Sequence, residues 1–194
     1  MIEYIKGLLV ELTPANAVIE NNGIGYYINI SVNTYSVLKE GQECILFTHQ
    51  VIREDAHLLY GFLNQKEREI FRLLISVNGV GANTARIILS SITTSELINA
   101  ISKENVNVLK GAKGIGIKTA QRIIIELKDK IIGFETENSI NFDTKNNTLK
   151  KDALNALVVL GFNKSTIEKV LNKIIDEQNE TSLEKIIKLA LNYL

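Results

Sequence analysis

One pattern occurs twice in this chain and limits what it can fold into. Val77-Asn78-Gly79-Val80-Gly81-Ala82-Asn83-Thr84-Ala85 recurs as Lys113-Gly114-Ile115-Gly116-Ile117-Lys118-Thr119-Ala120. Both stretches read Gly-apolar-Gly-x-x-Thr-Ala, and each lies between two segments of helical pattern. Paired glycines let the backbone turn tightly and come close to a ligand, because no Cβ stands in the way. At a helix start such a turn presents free N–H groups where the helix dipole favours an anion. The apolar residue between the glycines would pin the turn to a core. A single copy reads best as an ordinary interhelical turn. Two copies sharing Thr-Ala favour a phosphate site that reads no bases.

Two better-known glycine motifs do not fit. Gly111 to Thr119 has the outline of a P-loop, but that motif needs Lys directly after its second glycine, and Ile117 stands there. The segment before it also reads as helix rather than strand. Neither turn is Gly-x-Gly-x-x-Gly, since Thr84 and Thr119 occupy the third glycine position.

Charge is where the repeat gains weight. The whole chain is formally neutral, with 22 basic and 22 acidic side chains. Residues 1–63 carry a net −4 (3 Lys/Arg against 7 Asp/Glu), residues 64–133 a net +5 (11 against 6), and residues 134–194 a net −1 (8 against 9). Only the segment holding both glycine turns has the electrostatics a polyanion favours. Lys113, Lys118 and Arg122 cluster around the second turn, Arg86 lies beside the first, and all four are candidate phosphate contacts with Asn83, Thr84 and Thr119. A lone cation on a helix is usually a solvated face, so the backbone turns carry more of the argument than any one side chain.

Periodicity divides the chain the same way. Before residue 64, apolar runs at Ile2–Leu12, Ala15–Glu20, Tyr26–Val32, Cys44–Ile52 and Leu58–Leu63 are separated by turn residues, including Asn21-Asn22-Gly23 and Arg53-Glu54-Asp55. Five short strands in so few residues predict a closed, OB-like barrel, since closure removes exposed edges. From Asn64 the period becomes helical: Asn64 with Glu67, and Thr93 with Glu96, resemble capping boxes. Ala120, Ile123, Ile124, Leu127 and Ile131 form an apolar stripe. Residues 134–149 are polar and aperiodic and are expected to be a flexible linker.

A bundle of three helices is expected over 150–194. The first carries Leu154, Leu157 and Leu160 and ends at Gly161, the second starts near Asn163, and the third opens at Thr181 with Glu184. The fold class is thus multidomain α+β: barrel, tandem helix-hairpin-helix domain, linker and a UBA-like bundle.

Other readings compete. Glu54 and Asp55 are adjacent carboxylates, and a nuclease or glycosylase on helix-hairpin-helix scaffolding would use them for a metal. No third ligand has recognisable spacing, so no metal site is assigned. His49 and His57 read as strand residues, and Cys44 is the only cysteine. A protein-interaction adaptor, with the glycine turns purely structural, is the second rival. No catalytic or nucleotide-binding constellation stands out, and no cofactor is expected. The apolar runs are too short to cross a bilayer, and Met1-Ile2-Glu3-Tyr4 lacks the features of a signal peptide, so a cytoplasmic protein is expected.

In this order and at this length, the segments resemble the RuvA family, the Holliday-junction-binding subunits of the bacterial branch-migration complex. Arg53-Glu54-Asp55-Ala56-His57-Leu58-Leu59-Tyr60-Gly61-Phe62, the first glycine turn and Gly114 to Arg122 carry the resemblance. It implies a homotetramer, or a pair of tetramers, on which an open four-way junction lies. It places phosphate contacts on Gly79, Val80, Gly81, Gly114, Ile115, Gly116, Lys118 and Arg122, and a central acidic pin on Glu54 and Asp55. Without the resemblance, those two carboxylates read as turn chemistry. It also assigns the terminal bundle to the ATP-driven motor RuvB, with Leu157, Leu160, Gly161 and Phe162 as candidate contacts. The RuvC resolvase becomes a further partner, and a setting in recombination, repair and the SOS response is implied. The chain departs from the family pattern: Ala82-Asn83 replaces a common Pro-Lys, Ile117 a common Lys, and Lys113 a common Pro.

Overall fold

The computed structural model describes residues 1–136, 145–177 and 182–194, and the chain divides into two units, 1–137 and 138–194. In the first unit, strands β1 (Tyr4–Leu12), β2 (Asn16–Asn21), β3 (Ile24–Ile30), β4 (Glu43–Ile52) and β5 (His57–Phe62) form a closed barrel in the order β1-β2-β3-β5-β4. β1 pairs antiparallel with both β2 and β4, with a register shift between Leu9 and Glu11, and β3 closes the ring by pairing parallel to β5. Alternation decides which side chains fill it: Ile5, Leu9, Ile19, Ile28, Ile30 and Leu46 form the barrel interior. One element lies outside the expected pattern, a single helical turn α1 (Val32–Tyr35) between β3 and β4.

Five helices follow in this unit: α2 (Gln65–Ile75), α3 (Ala82–Ser91), α4 (Thr94–Ser102), α5 (Val106–Lys110) and α6 (Ile117–Thr136). Their core is continuous with the outer face of β5, because Tyr60 and Phe62 point away from the barrel interior into the helices. Phe71 of α2 is fully buried between them, with ring centroids 5.2 Å from Tyr60, 4.9 Å from Phe62 and 5.5 Å from His49 of β4. The barrel and the helices therefore share one packed wall.

Thr93 and Glu96 form the capping box expected at α4, with both reciprocal bonds made. At α2 the outcome differs. Asn64 accepts from Glu67 N–H at 2.9 Å, but Glu67 turns its own carboxylate inward. There Oε2 accepts from Leu63 N–H at 3.2 Å, while Oε1 lies 3.2 Å from the Ser31 hydroxyl and 3.4 Å from that of Thr34. Burial pushes the Glu67 carboxyl above its usual range, and these hydrogen bonds pull it partly back. Arg68 is also buried; its guanidinium donates to Glu3 O at 2.9 Å and pairs with the Glu3 carboxylate, tying β1 to α2. Two charged residues thus weld barrel to helices.

In the second unit, α7 (Lys145–Val159), α8 (Lys164–Glu177) and α9 (Leu183–Tyr193) enclose Ala153, Leu157, Ile167, Leu171, Ile174, Ile186 and Ala190. α7 stops as its glycine predicts. Gly161 has φ +96°, its N–H donates to Val158 O at 3.0 Å, and Phe162 N–H reaches back to Leu157 O at 3.2 Å. That pair of bonds is a Schellman termination. The stretch 134–149 expected as a linker is helical where α6 and α7 reach into it, and residues 137–144 lie outside the described residues. Thr181, the expected opening of α9, also lies outside them. The helix starts after Ser182, whose side chain makes no capping bond, and Glu184 instead pairs with Lys188 at 2.8 Å.

Candidate nucleic-acid interface

The two glycine turns have the same backbone. Val80 N–H donates to Val77 O at 3.0 Å, and Ile115 N–H to Ala112 O at 3.1 Å. Gly79 has φ +89° and Gly114 φ +88°, a region that only glycine enters without steric cost. Val80 and Ile115 are buried and anchor the turns, while Gly79, Gly81, Gly114 and Gly116 are exposed. Each turn then feeds a helix: Ala85 N–H donates to Gly81 O at 2.9 Å, as Ala120 N–H does to Gly116 O, also at 2.9 Å. The internal repeat in sequence is therefore a repeat in structure.

The helix starts show what these turns are shaped for. α2, α4 and α5 are closed by side chains of Asn64, Thr93 and Asn105, each accepting from the backbone of its first turn. α3 and α6 begin instead on Gly81 and Gly116, which have no side chain to accept those N–H groups. Neither Gly81 nor Gly116 has positive φ, and a Cβ at either position would meet nothing within 4 Å. Among the described residues no steric clash and no positive φ calls for glycine at these two positions. Glycine is a good helix N-cap, and without a Cβ it also leaves the exposed N–H groups open to an outside group.

Side chains around the turns divide into two sets. Lys113 and Lys118 are exposed and pair with no carboxylate among the described residues. Asn83 is exposed, and Thr84 and Thr119 are half-buried at matching positions in their helices. Ala82 and Ile117, which also match, differ: Ala82 is buried and Ile117 is 51% exposed. The two arginines are engaged inside the protein. Arg86 donates from Nη1 to Ala15 O at 2.8 Å and from Nη2 to Asn83 Oδ1 at 3.0 Å. Arg122 donates from Nη1 to Asn78 O at 3.0 Å, inside the other glycine turn. The bonds to Ala15 and Asn78 span 71 and 44 residues of sequence, so no local pattern announces them.

Glu54 and Asp55 sit together at the exposed tip of the β4–β5 hairpin, which Arg53 N–H closes by donating to Ala56 O at 2.8 Å. Among the described residues no three His, Cys, Asp or Glu side chains gather as metal ligands would, and no helix is long and apolar enough to cross a membrane. In the second unit the four candidate partner contacts separate. Leu157 is fully buried in the bundle core and offers no surface to a partner. Gly161 serves the helix stop. Leu160 is 59% exposed and follows the exposed Val158 and Val159 at the end of α7, with Phe162 half-buried.

Three family models match stretches of this chain. Residues 1–61 match the RuvA N terminal domain, residues 71–129 the SAM-like helix-hairpin-helix tandem, and residues 149–194 the RuvA C-terminal domain. Curated relatives align over their full length and that of this chain. The protein of Bacteroides thetaiotaomicron is 49% identical over 201 residues, and those of Christiangramia forsetii and Flavobacterium psychrophilum are 48% identical over 194. Each of these relatives carries the name Holliday junction branch migration complex subunit RuvA.

Proposed function

The chain belongs to the RuvA family, and from that premise we propose that it is the DNA-binding, non-catalytic subunit of a branch-migration complex. It holds four-way junctions by their phosphates, without reading base sequence, and presents them to an ATP-hydrolysing RuvB motor. The backbone N–H groups of Gly79, Gly81, Gly114 and Gly116 take phosphates, with Val80 and Ile115 anchoring the turns, Lys113 and Lys118 adding charge and Asn83, Thr84 and Thr119 flanking. Residues 1–63 carry the pin and the contacts between subunits, 64–133 grip DNA, 134–149 tether, and 150–194 meet the motor. Leu160 and Phe162, with the neighbouring Val159, form the motor-facing patch. A cytoplasmic homotetramer, singly or paired, and a handover to the RuvC resolvase complete the reading.

The acidic tip fits this role physically. Carboxylates crowded by phosphates repel them within a screening length of about 10 Å, so Glu54 and Asp55 discourage a continuous duplex from crossing the centre. An open crossover has strands turning away from that point and suffers less.

One observation carries the proposal: two helix starts left bare by glycines that the protein's own packing does not need. The test is Gly81→Ala with Gly116→Ala. Both sites accept a Cβ in the free protein, so the cost to stability is limited to the weaker capping by Ala, up to about 1 kcal/mol per site. Junction affinity is expected to fall by roughly tenfold or more, the worth of one lost hydrogen bond to a charged group. Undiminished affinity in the doubly substituted protein would leave the turns as structural connections and favour the adaptor reading.

A further inference from the structure

Arg86 and Arg122 are the basic side chains beside the turns that already have partners inside the protein, and those partners form a series. Arg86, on α3 behind the first turn, reaches the β1–β2 turn of the barrel at Ala15 O, while its second arm holds Asn83 Oδ1. Arg122, on α6 behind the second turn, reaches into the first turn at Asn78 O. Its guanidinium lies over Gly79, where a Cβ would stand 3.8 Å from Nη1. One arginine therefore links barrel to first turn, and the other links first turn to second. The barrel also carries Glu54 and Asp55, so the series joins all three DNA-facing features of the proposed function, on which this inference rests.

We infer that Arg86 and Arg122 are positioning residues that fix the spacing of the two phosphate-binding turns and the acidic hairpin, and so set the preference for junction over duplex. In the proposed function a linear duplex is gripped by the turns without having to meet the acidic hairpin. A junction must satisfy turns and pin together, so an error in their spacing falls on junction binding first. Arg is suited to this task because its donors sit in a rigid planar fork that fixes the geometry of each bond, as Arg86 uses for two acceptors, whereas the Lys ammonium is a compact charge on a flexible stem. A phosphate-contacting role would show instead in the salt slope, which follows the charge that Lys keeps and Ala removes.

The test uses Arg86→Lys, Arg122→Lys and the two alanine variants in the full-length protein, titrated against a four-way junction and a linear duplex over a salt series. Positioning predicts that the lysine variants lose junction preference by roughly three- to tenfold, the range set by one or two net hydrogen bonds. Their salt slopes, and those of the alanine variants, stay at the wild-type value. The inference is overturned if lysine restores wild-type binding while alanine lowers the slope by about 0.9 per lost contact on both DNAs, since that is the behaviour of phosphate contacts. It is equally overturned if all four variants bind as wild type. Should the wild type itself show no junction preference, the proposed function fails, and amide exchange without DNA decides the struts. Faster exchange at Val80 in Arg122→Ala supports the link, and unchanged exchange removes it.

Discussion

Gly79 and Gly81 stand two residues apart and answer to different constraints. Gly79, like Gly114, has positive φ, a conformation that costs an L-residue about 1–2 kcal/mol. Gly79→Ala is therefore expected to lower thermal stability by about that amount, whereas Gly81→Ala adds no backbone strain, costs only the weaker capping by Ala, and acts chiefly on DNA. Differential scanning of the two variants separates folding from binding within one turn. His49 gives a second residue-scale prediction. Burial first, then the nearby Arg72 and Arg68 charges, hold its imidazole below its usual range, against a smaller opposing pull from Glu69. The unfolded chain takes up the proton near its ordinary value, about 6.5, and the folded protein resists it. Stability carried by the neutral ring is thus complete above that pH and falls on acidification towards the lowered folded value. His49→Phe, which keeps the ring against Phe71, is expected to flatten the fall of melting temperature as pH drops below the ordinary imidazole value. Glu67 has the opposite sign: its raised pKa means that acidification relieves its burial cost. A melting temperature equally pH-dependent in His49→Phe and wild type would remove the role given to His49.

Elements were legible to the extent that their signals were local. Five strands, the α4 capping box, the α6 stripe and the Gly161 stop all follow from residues within a few positions of one another. The one-turn helix α1 has too few residues for a period. The inward turn of Glu67 depends on Ser31 and Thr34, more than thirty residues earlier, and so escapes any capping-box pattern. Leu157 and Leu160 look alike on a helical wheel, but the termination after Val159 buries one and exposes the other. That difference is testable. Leu157→Ala should cost about 2–5 kcal/mol of bundle stability, in the range of buried Leu truncations. Val159→Lys with Leu160→Lys should leave the bundle folded and weaken motor binding, measured as loss of stimulated ATP hydrolysis by the partner. Normal stimulation by the doubly charged variant would move the motor contact to another face.

For the whole molecule, the informative quantity was the distribution of charge rather than its total. A neutral chain would not be assigned to DNA, yet its basic residues concentrate in the segment that holds both bare helix starts. Barrel, tandem hairpins and terminal bundle were recognisable from periodicity. How the first hairpin is tied to the barrel and the second to the first was not, because Arg86 and Arg122 work through backbone carbonyls that any sequence would supply. The central claim is that these parts together recognise a four-way junction. The most direct measurement compares binding to an immobile junction and to a linear duplex with the same arm sequences, in matched salt, without ATP or added metal. Strong preference for the junction, unchanged when the arm sequences are exchanged and reduced by Glu54→Gln with Asp55→Asn through tighter duplex binding, is the predicted result. Equal affinity for both DNAs would contradict it.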